Sequence, residues 1–241
     1  LVLYTFDIDG DIVEVGAWRG GGAIVMGASV KAMSSLLLKT KKRKKTWIFD
    51  SFSGTLERNC GVASDVEFGD YKVRMNDVSS TMVRFGLLND VVIRELNLLV
   101  DNDANLNSDM PSHIAVLRID VTCPKAYLQA LRRFVPYVRK GGIVVIDDWH
   151  RGDIRNVVLE YYRSLRKHFG TIFISTSVAK PPPDRYISAG GKVSFWKVLS
   201  VVKEEEWEVC SSKYSGEPNS RSEQFKRIPR SDNLNVVQRS L

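Results

Sequence analysis

Three aspartates carry most of the chemistry that this 241-residue sequence offers. Asp120 ends the apolar run that starts at His113, and the pair Asp147 and Asp148 ends the run Ile143-Val144-Val145-Ile146. Continuous apolar runs of this kind read as buried parallel strands. In an open α/β sheet the carboxyl ends of such strands face one crevice. Carboxylates gathered there repel one another and raise their own pKa values unless a cation neutralises them. An all-oxygen donor set suits a hard cation such as Mg²⁺. A substrate hydroxyl drawn to that cation becomes more acidic and is oriented for attack. His150, in Asp147-Asp148-Trp149-His150, is the candidate general base. With Asp120 it makes the expected catalytic pair. The plainer alternatives are that Asp147 or Asp148 caps the next helix and that His150 is an exposed loop histidine. His113 and His168 read as structural.

A second constellation lies near the start, in Ile12-Val13-Glu14-Val15-Gly16-Ala17-Trp18-Arg19-Gly20-Gly21-Gly22. A short apolar strand runs through an acid into glycines and then into a helical pattern. Gly16, Gly20, Gly21 and Gly22 let backbone approach a ligand closely. Backbone N–H groups together with Arg19 or Ser29 would hold a carboxylate or amino-acid end. A second strand, Trp47-Ile48-Phe49-Asp50, ends in an acid placed to accept hydrogen bonds from ribose hydroxyls. Together these suit a nucleoside-bearing cofactor. A phosphate-gripping dinucleotide loop would want G-x-G-x-x-G, and Trp18 stands where its second glycine belongs.

The elements that must position these residues alternate between strand and helix. Strands are expected over 11–16, 47–50, 91–95, 113–120, 143–148, 171–175 and 192–199. Helices are expected over 23–38, 78–85 (Asp77 as N-cap, Gly86 as stop), 124–138 (Pro124 in the first turn, Gly141-Gly142 as stop) and 154–169. The fold class is α/β, a mostly parallel doubly wound sheet with an antiparallel final strand reached by a hairpin-like return after Pro181-Pro182-Pro183. Residues 1–202 form one domain, and 203–241 form a mixed-charge tail, partly disordered.

The bulk numbers exclude several classes. A hydrophobic fraction of 44% is that of a globular domain with a real core. No apolar run approaches the ~20 residues of a membrane helix, and the sequence as given opens on Leu1 with no basic-then-apolar signal-peptide pattern, as a fragment would. Cys60, Cys123 and Cys210 lack metal or redox spacing, read as free thiols, and place the protein in the cytoplasm. The net charge of +7 owes six charges to the run 39–45, while residues 203–241 sum to zero. That run reads as a solvated helix end rather than as a nucleic-acid face.

Several of these stretches, in order, resemble the macrocin O-methyltransferase family, which methylates sugar hydroxyls of macrolide antibiotics. Residues 10–21 are similar to its opening motif, Trp47 to Gly54 to its second, and Phe85 to Val91 to the stretch before its third strand. Leu117-Arg118-Ile119-Asp120 and Gly141 to Asp148 look like its metal-binding strands, and Val193 to Lys197 like its closing strand. The resemblance implies a Rossmann-like class I methyltransferase fold, S-adenosylmethionine as cofactor and Mg²⁺ to activate a hydroxyl. It places Glu14, Gly16, Asp50 and Ser51 in the cofactor site, beside Arg19 and Gly20 from the glycine-rich turn. It places Asp120, Asp147 and Asp148 on the metal. Two segments depart from the family pattern, Val121 to Tyr127 and Asn97 to Leu106. The expected activity is metal-assisted methyl transfer to a small-molecule hydroxyl of sugar or natural-product type. A nucleic-acid methyltransferase and an inactive cofactor-binding protein are the alternatives. The acceptor is the expected partner, a homo-oligomer is allowed, and no membrane is involved.

Overall fold

Seven strands form one sheet in the order β3-β2-β1-β4-β5-β7-β6. In chain order the elements are β1 (Asp11–Val15), α1 (Gly21–Leu36), β2 (Thr46–Asp50), α2 (Met75–Arg84), β3 (Val91–Glu95), β4 (Ile114–Ile119), α3 (Pro124–Phe134), β5 (Val138–Ile146), α4 (Gly152–Ser164), β6 (Phe169–Ile174) and β7 (Ser194–Val198). The computed structural model describes residues 2–36, 43–55, 69–100, 110–149, 151–164, 169–174 and 194–198. The tail from 203, the triproline and most of the basic run lie outside them.

Strands β1 to β5 pair in parallel, and β7 runs antiparallel to both β5 and β6. Chain order reverses between β1 and β4, so a crevice opens there at the carboxyl ends. Side-chain alternation divides the core in two. Val13, Val15, Leu117, Ile119, Val144 and Ile146 face α3 and α4, where Tyr127, Leu131, Phe134 and Val158 are fully buried. Ile12, Val116 and Val145 face the other way, against Val30 of α1. Each such fully buried side chain stabilises the domain by about 1.5–3 kcal/mol of transfer free energy. That summed burial clamps the strand ends in place.

Several boundaries differ from the sequence expectation. Helix α2 starts at Met75, so Asp77 sits inside the first turn and pairs with Arg74 (Nε to Oδ2, 2.9 Å) instead of capping. Its end is as expected: Gly86 has φ +65°, its N–H donates to Val83 O (2.9 Å), and that of Leu87 donates to Met82 O (2.8 Å), a Schellman closure. Helix α3 stops at Phe134, followed by a 3₁₀ turn through Pro136, because proline has no N–H to continue the ladder. Gly141-Gly142 therefore stops no helix but lies within β5, where the register against β4 shifts. There is no room for a side chain at Gly142, since a Cβ would meet Arg139 O and Val138 Cγ1 at 2.8 Å. Helix α4 is described over Gly152–Ser164, and Phe169, expected as its last residue, belongs to β6. Cys123 is disulfide-bonded, which corrects the expectation of three free thiols. Its two possible partners lie outside the described residues, and spacing along the chain carries no information on which cysteines meet in space.

Candidate active site

The turn after β1 is built around backbone needs that few residue types meet. Gly16 has φ +82°, and a Cβ there would collide with the Asp120 carbonyl as β1 and β4 converge. Trp18 holds φ +47°, a costly conformation for a bulky residue. It is fixed by Asp50, whose Oδ2 accepts the N–H groups of Ala17 (2.8 Å) and Trp18 (2.9 Å) while Oδ1 accepts that of Phe52 (2.8 Å). Asp50 thus ties the end of β2 to the β1–α1 turn, a role that the ribose argument did not foresee. Ser51 shapes the next turn, accepting the Ser53 N–H and donating to Gly54 O, both at 3.3 Å.

A cavity of about 280 Å³ opens over these strand ends. Gly16, Asp50, Ser51, Asp120 and Asp148 line it. Glu14, Arg19, Gly20 and Asp147 are not among its walls. Glu14 points to the opposite face of β1, beneath the first turn of α1. Arg19 lies over the Trp18 ring, 4.5 Å from its centroid. Gly20 turns the chain into α1, with φ +81° and its N–H on Ala17 O. Ser29 bonds back to Val25 O on the exposed side of α1 (2.7 Å) and does not approach the site. His150 lies outside the described residues.

Leu96 to Leu99, Thr55, Trp18 and Tyr71 are also cavity walls, none of them among the expected site residues. Trp18 and Tyr71 meet edge to face, with ring centroids 5.7 Å apart. Residues 96–99 lie just past a strand end, and Asn97 opens one of the two segments that depart from the family pattern near the expected site. Tyr71 enters from a distant turn and gave no signal in the sequence.

The chain itself supplies a cation to these carboxylates, one that the sequence expectation did not include. Arg118 on β4 stands in register with Glu14 on β1. Its Nη1 donates to Glu14 Oε1, and its Nη2 donates to Asp120 Oδ2 (2.7 Å) and Asp147 Oδ2 (2.5 Å). Burial opposes the charge on Arg118, but Asp120, Glu14 and Asp147 more than offset it and raise its pKa. Burial lifts Glu14 to about 7 and Asp120 to about 6, against the opposing pull of Arg118. Around them, Asp147 Oδ1 accepts the Asp148 N–H (3.0 Å), and the Tyr127 hydroxyl donates to the Asp147 carbonyl (3.1 Å). Asp148 is turned into the cavity by φ +51°. Arg151 Nη1 holds the Thr122 carbonyl (2.7 Å), so the segment after Asp120 is braced against the loop after β5.

The oxygen chemistry of Asp120, Asp147 and Asp148 suits a hard divalent cation. Among the described residues, however, no three acidic, His or Cys side chains converge on a common point. Asp120 and Asp147 converge on Arg118 instead. The basic run offers less to nucleic acid than its composition suggests. Arg43 pairs with Asp90 (2.5 Å), and Lys44 is buried, donating to the carbonyls of Ile8 and of Gly10 (2.7 Å).

The strand order and the cavity over its switch point define a methyltransferase-type α/β domain. Solved structures share the fold. The O-methyltransferase NovP superposes with a TM-score of 0.60 at 22% identity, covering 82% of this chain and 75% of that one. The calicheamicin methyltransferase CalS11 gives 0.58 at 16%, covering 81% and 74%. Residues 3–172 match the macrocin O-methyltransferase family model, and the chain belongs to that family. It is 29% identical over 165 residues to the 8-demethyl-8-(2,3-dimethoxy-alpha-L-rhamnosyl)-tetracenomycin-C 4'-O-methyltransferase of Streptomyces olivaceus, covering 64% of this chain and 58% of that one. It is 27% identical over 167 residues to the mycinamicin III 3''-O-methyltransferase of Micromonospora griseorubida, covering 64% and 61%. The matches thus span about three fifths of these relatives. Among the described residues no helix is long and apolar enough to cross a membrane.

Proposed function

We propose that this chain is an S-adenosylmethionine-dependent O-methyltransferase for a small-molecule hydroxyl of sugar or natural-product type. The observation that carries the reading is the cavity itself. It joins the strained Gly16–Trp18 turn, pinned by Asp50, to Asp120 and Asp148 from strands across the switch point. Family membership supplies the class of reaction. S-adenosylmethionine brings an electrophilic methyl group to such a site. The glycine turn and Asp50 bind its amino-acid and ribose portions, with Ser51, Arg19 and Gly20 shaping the approach and Glu14 supporting the turn from below. Asp120, Asp147 and Asp148 would hold Mg²⁺, which would supply Lewis acidity to the acceptor hydroxyl. Asp120 orients that hydroxyl, and His150 takes its proton. Trp18 and Tyr71, edge to face in the cavity wall, offer the ligand an aromatic surface. Most of the rate then comes from positioning and charge stabilisation.

Calorimetric titration of S-adenosylmethionine, with Mg²⁺ and then with chelator, tests the cofactor part. Binding under both conditions is expected, weakened at least tenfold by Asp50→Ala. Absence of binding under both would overturn the methyltransferase reading. In an acceptor screen, Asp147→Ala is expected to abolish methyl transfer while leaving cofactor binding largely intact.

A further inference from the structure

Arg118 sits where the two halves of the sheet meet. Its guanidinium forks between Glu14, under the first turn of α1, and the carboxylates of Asp120 and Asp147, beside the cavity. Glu14 is fully buried, and a Cβ on Gly22 would fall on its Oε1, so the chain keeps open the space this ion pair occupies. Only a planar, permanently charged fork can serve three carboxylates at once, one on a strand and two just past strand ends.

We propose that Arg118 is a positioning residue that acts as the resident counter-cation of the acidic strand ends, so that a divalent cation binds there in competition with its guanidinium. The inference rests on the reading above that Asp120, Asp147 and Asp148 hold the metal. Two consequences follow from its charge. Without a divalent ion, Arg118 keeps Asp120 and Asp147 side by side despite their repulsion. With one, a fixed positive charge a single carboxylate away repels it and lowers its affinity. Arg118 thus gathers two of the three carboxylates and, by the same charge, weakens them as a metal trap. Metal occupancy then depends on what the acceptor adds, and idle binding is discouraged.

The test uses the full chain and Mn²⁺ as probe, counted by loss of the free-ion paramagnetic signal at pH 8.5, where the carboxylates are ionised. Removing Arg118 alone strands the buried Glu14, so the comparison is Glu14→Gln against Glu14→Gln with Arg118→Met. Arg118→Lys alone serves as the charge-conserving control. The double variant is expected to bind Mn²⁺ about tenfold more tightly than Glu14→Gln, and Arg118→Lys within about twofold of the native chain. Equal or weaker binding by the double variant overturns the proposal. If no variant binds Mn²⁺, the metal reading falls, and melting in chelator decides the counter-cation role separately. In that case Asp147→Asn must restore most of the melting temperature lost with Arg118→Met, and no recovery overturns it.

Discussion

At the residue scale, each acid of the site has its own physical task. Asp50 accepts three backbone N–H groups, so its removal leaves those donors without a partner inside the fold. Each such loss costs about 1–3 kcal/mol when buried and less here, where the turn is partly solvated. Asp50→Ala is therefore expected to lower unfolding stability by roughly 2 kcal/mol even without cofactor, read from a denaturant midpoint. Glu14 predicts a pH dependence with a definite sign. Its folded pKa stands near 7 against an ordinary 4.5, so between those values the folded state holds a proton that the unfolded chain releases. Stability must fall as pH rises through that window, by up to about 3 kcal/mol from this group. In chelator, the denaturant midpoint of the native chain is expected to fall between pH 5 and pH 8. That of Glu14→Gln should fall distinctly less, and identical slopes would refute the assignment.

At the element scale, local signals succeeded where the cause was local. The Schellman closure of α2 is written in Gly86, and Gly86→Ala is expected to cost about 1 kcal/mol by denaturation, since only the left-handed φ is at stake and the space is open. Gly16 is different, because it combines a left-handed φ with close approach of the Asp120 backbone. Gly16→Ala should therefore cost distinctly more than Gly86→Ala and also weaken cofactor binding. The reverse order of stabilities would mean that β1 and β4 are not held this close. The end of α3 departs from the expectation because Pro136 interrupts the helix ahead of the glycine pair, and because β5 begins before its own apolar run. Its first residue, Val138, is recruited by pairing with Ile114, a contact that no local pattern announces.

At the scale of the whole molecule, the cavity draws on the ends of β1, β2, β3, β4 and β5. A ligand filling it binds the folded chain alone, so S-adenosylmethionine at a hundred times its Kd should add about 2.7 kcal/mol of stability. A thermal shift is the measurement, and the same concentration should do much less for Asp50→Ala. The alternating strands and helices, the carboxylates at strand ends and the glycine turn were legible in the sequence. Period, turn chemistry and apolar runs are local properties of the chain, and they determined the class of fold and the crevice where chemistry belongs. Only the tertiary structure decided that Glu14 faces away from that crevice, that Asp50 spends its oxygens on backbone, and that Arg118 gathers Glu14, Asp120 and Asp147. Those facts depend on which strands lie side by side, in what register and on which face each side chain emerges. Pairing between segments distant along the chain settles all three, and spacing within any one segment does not.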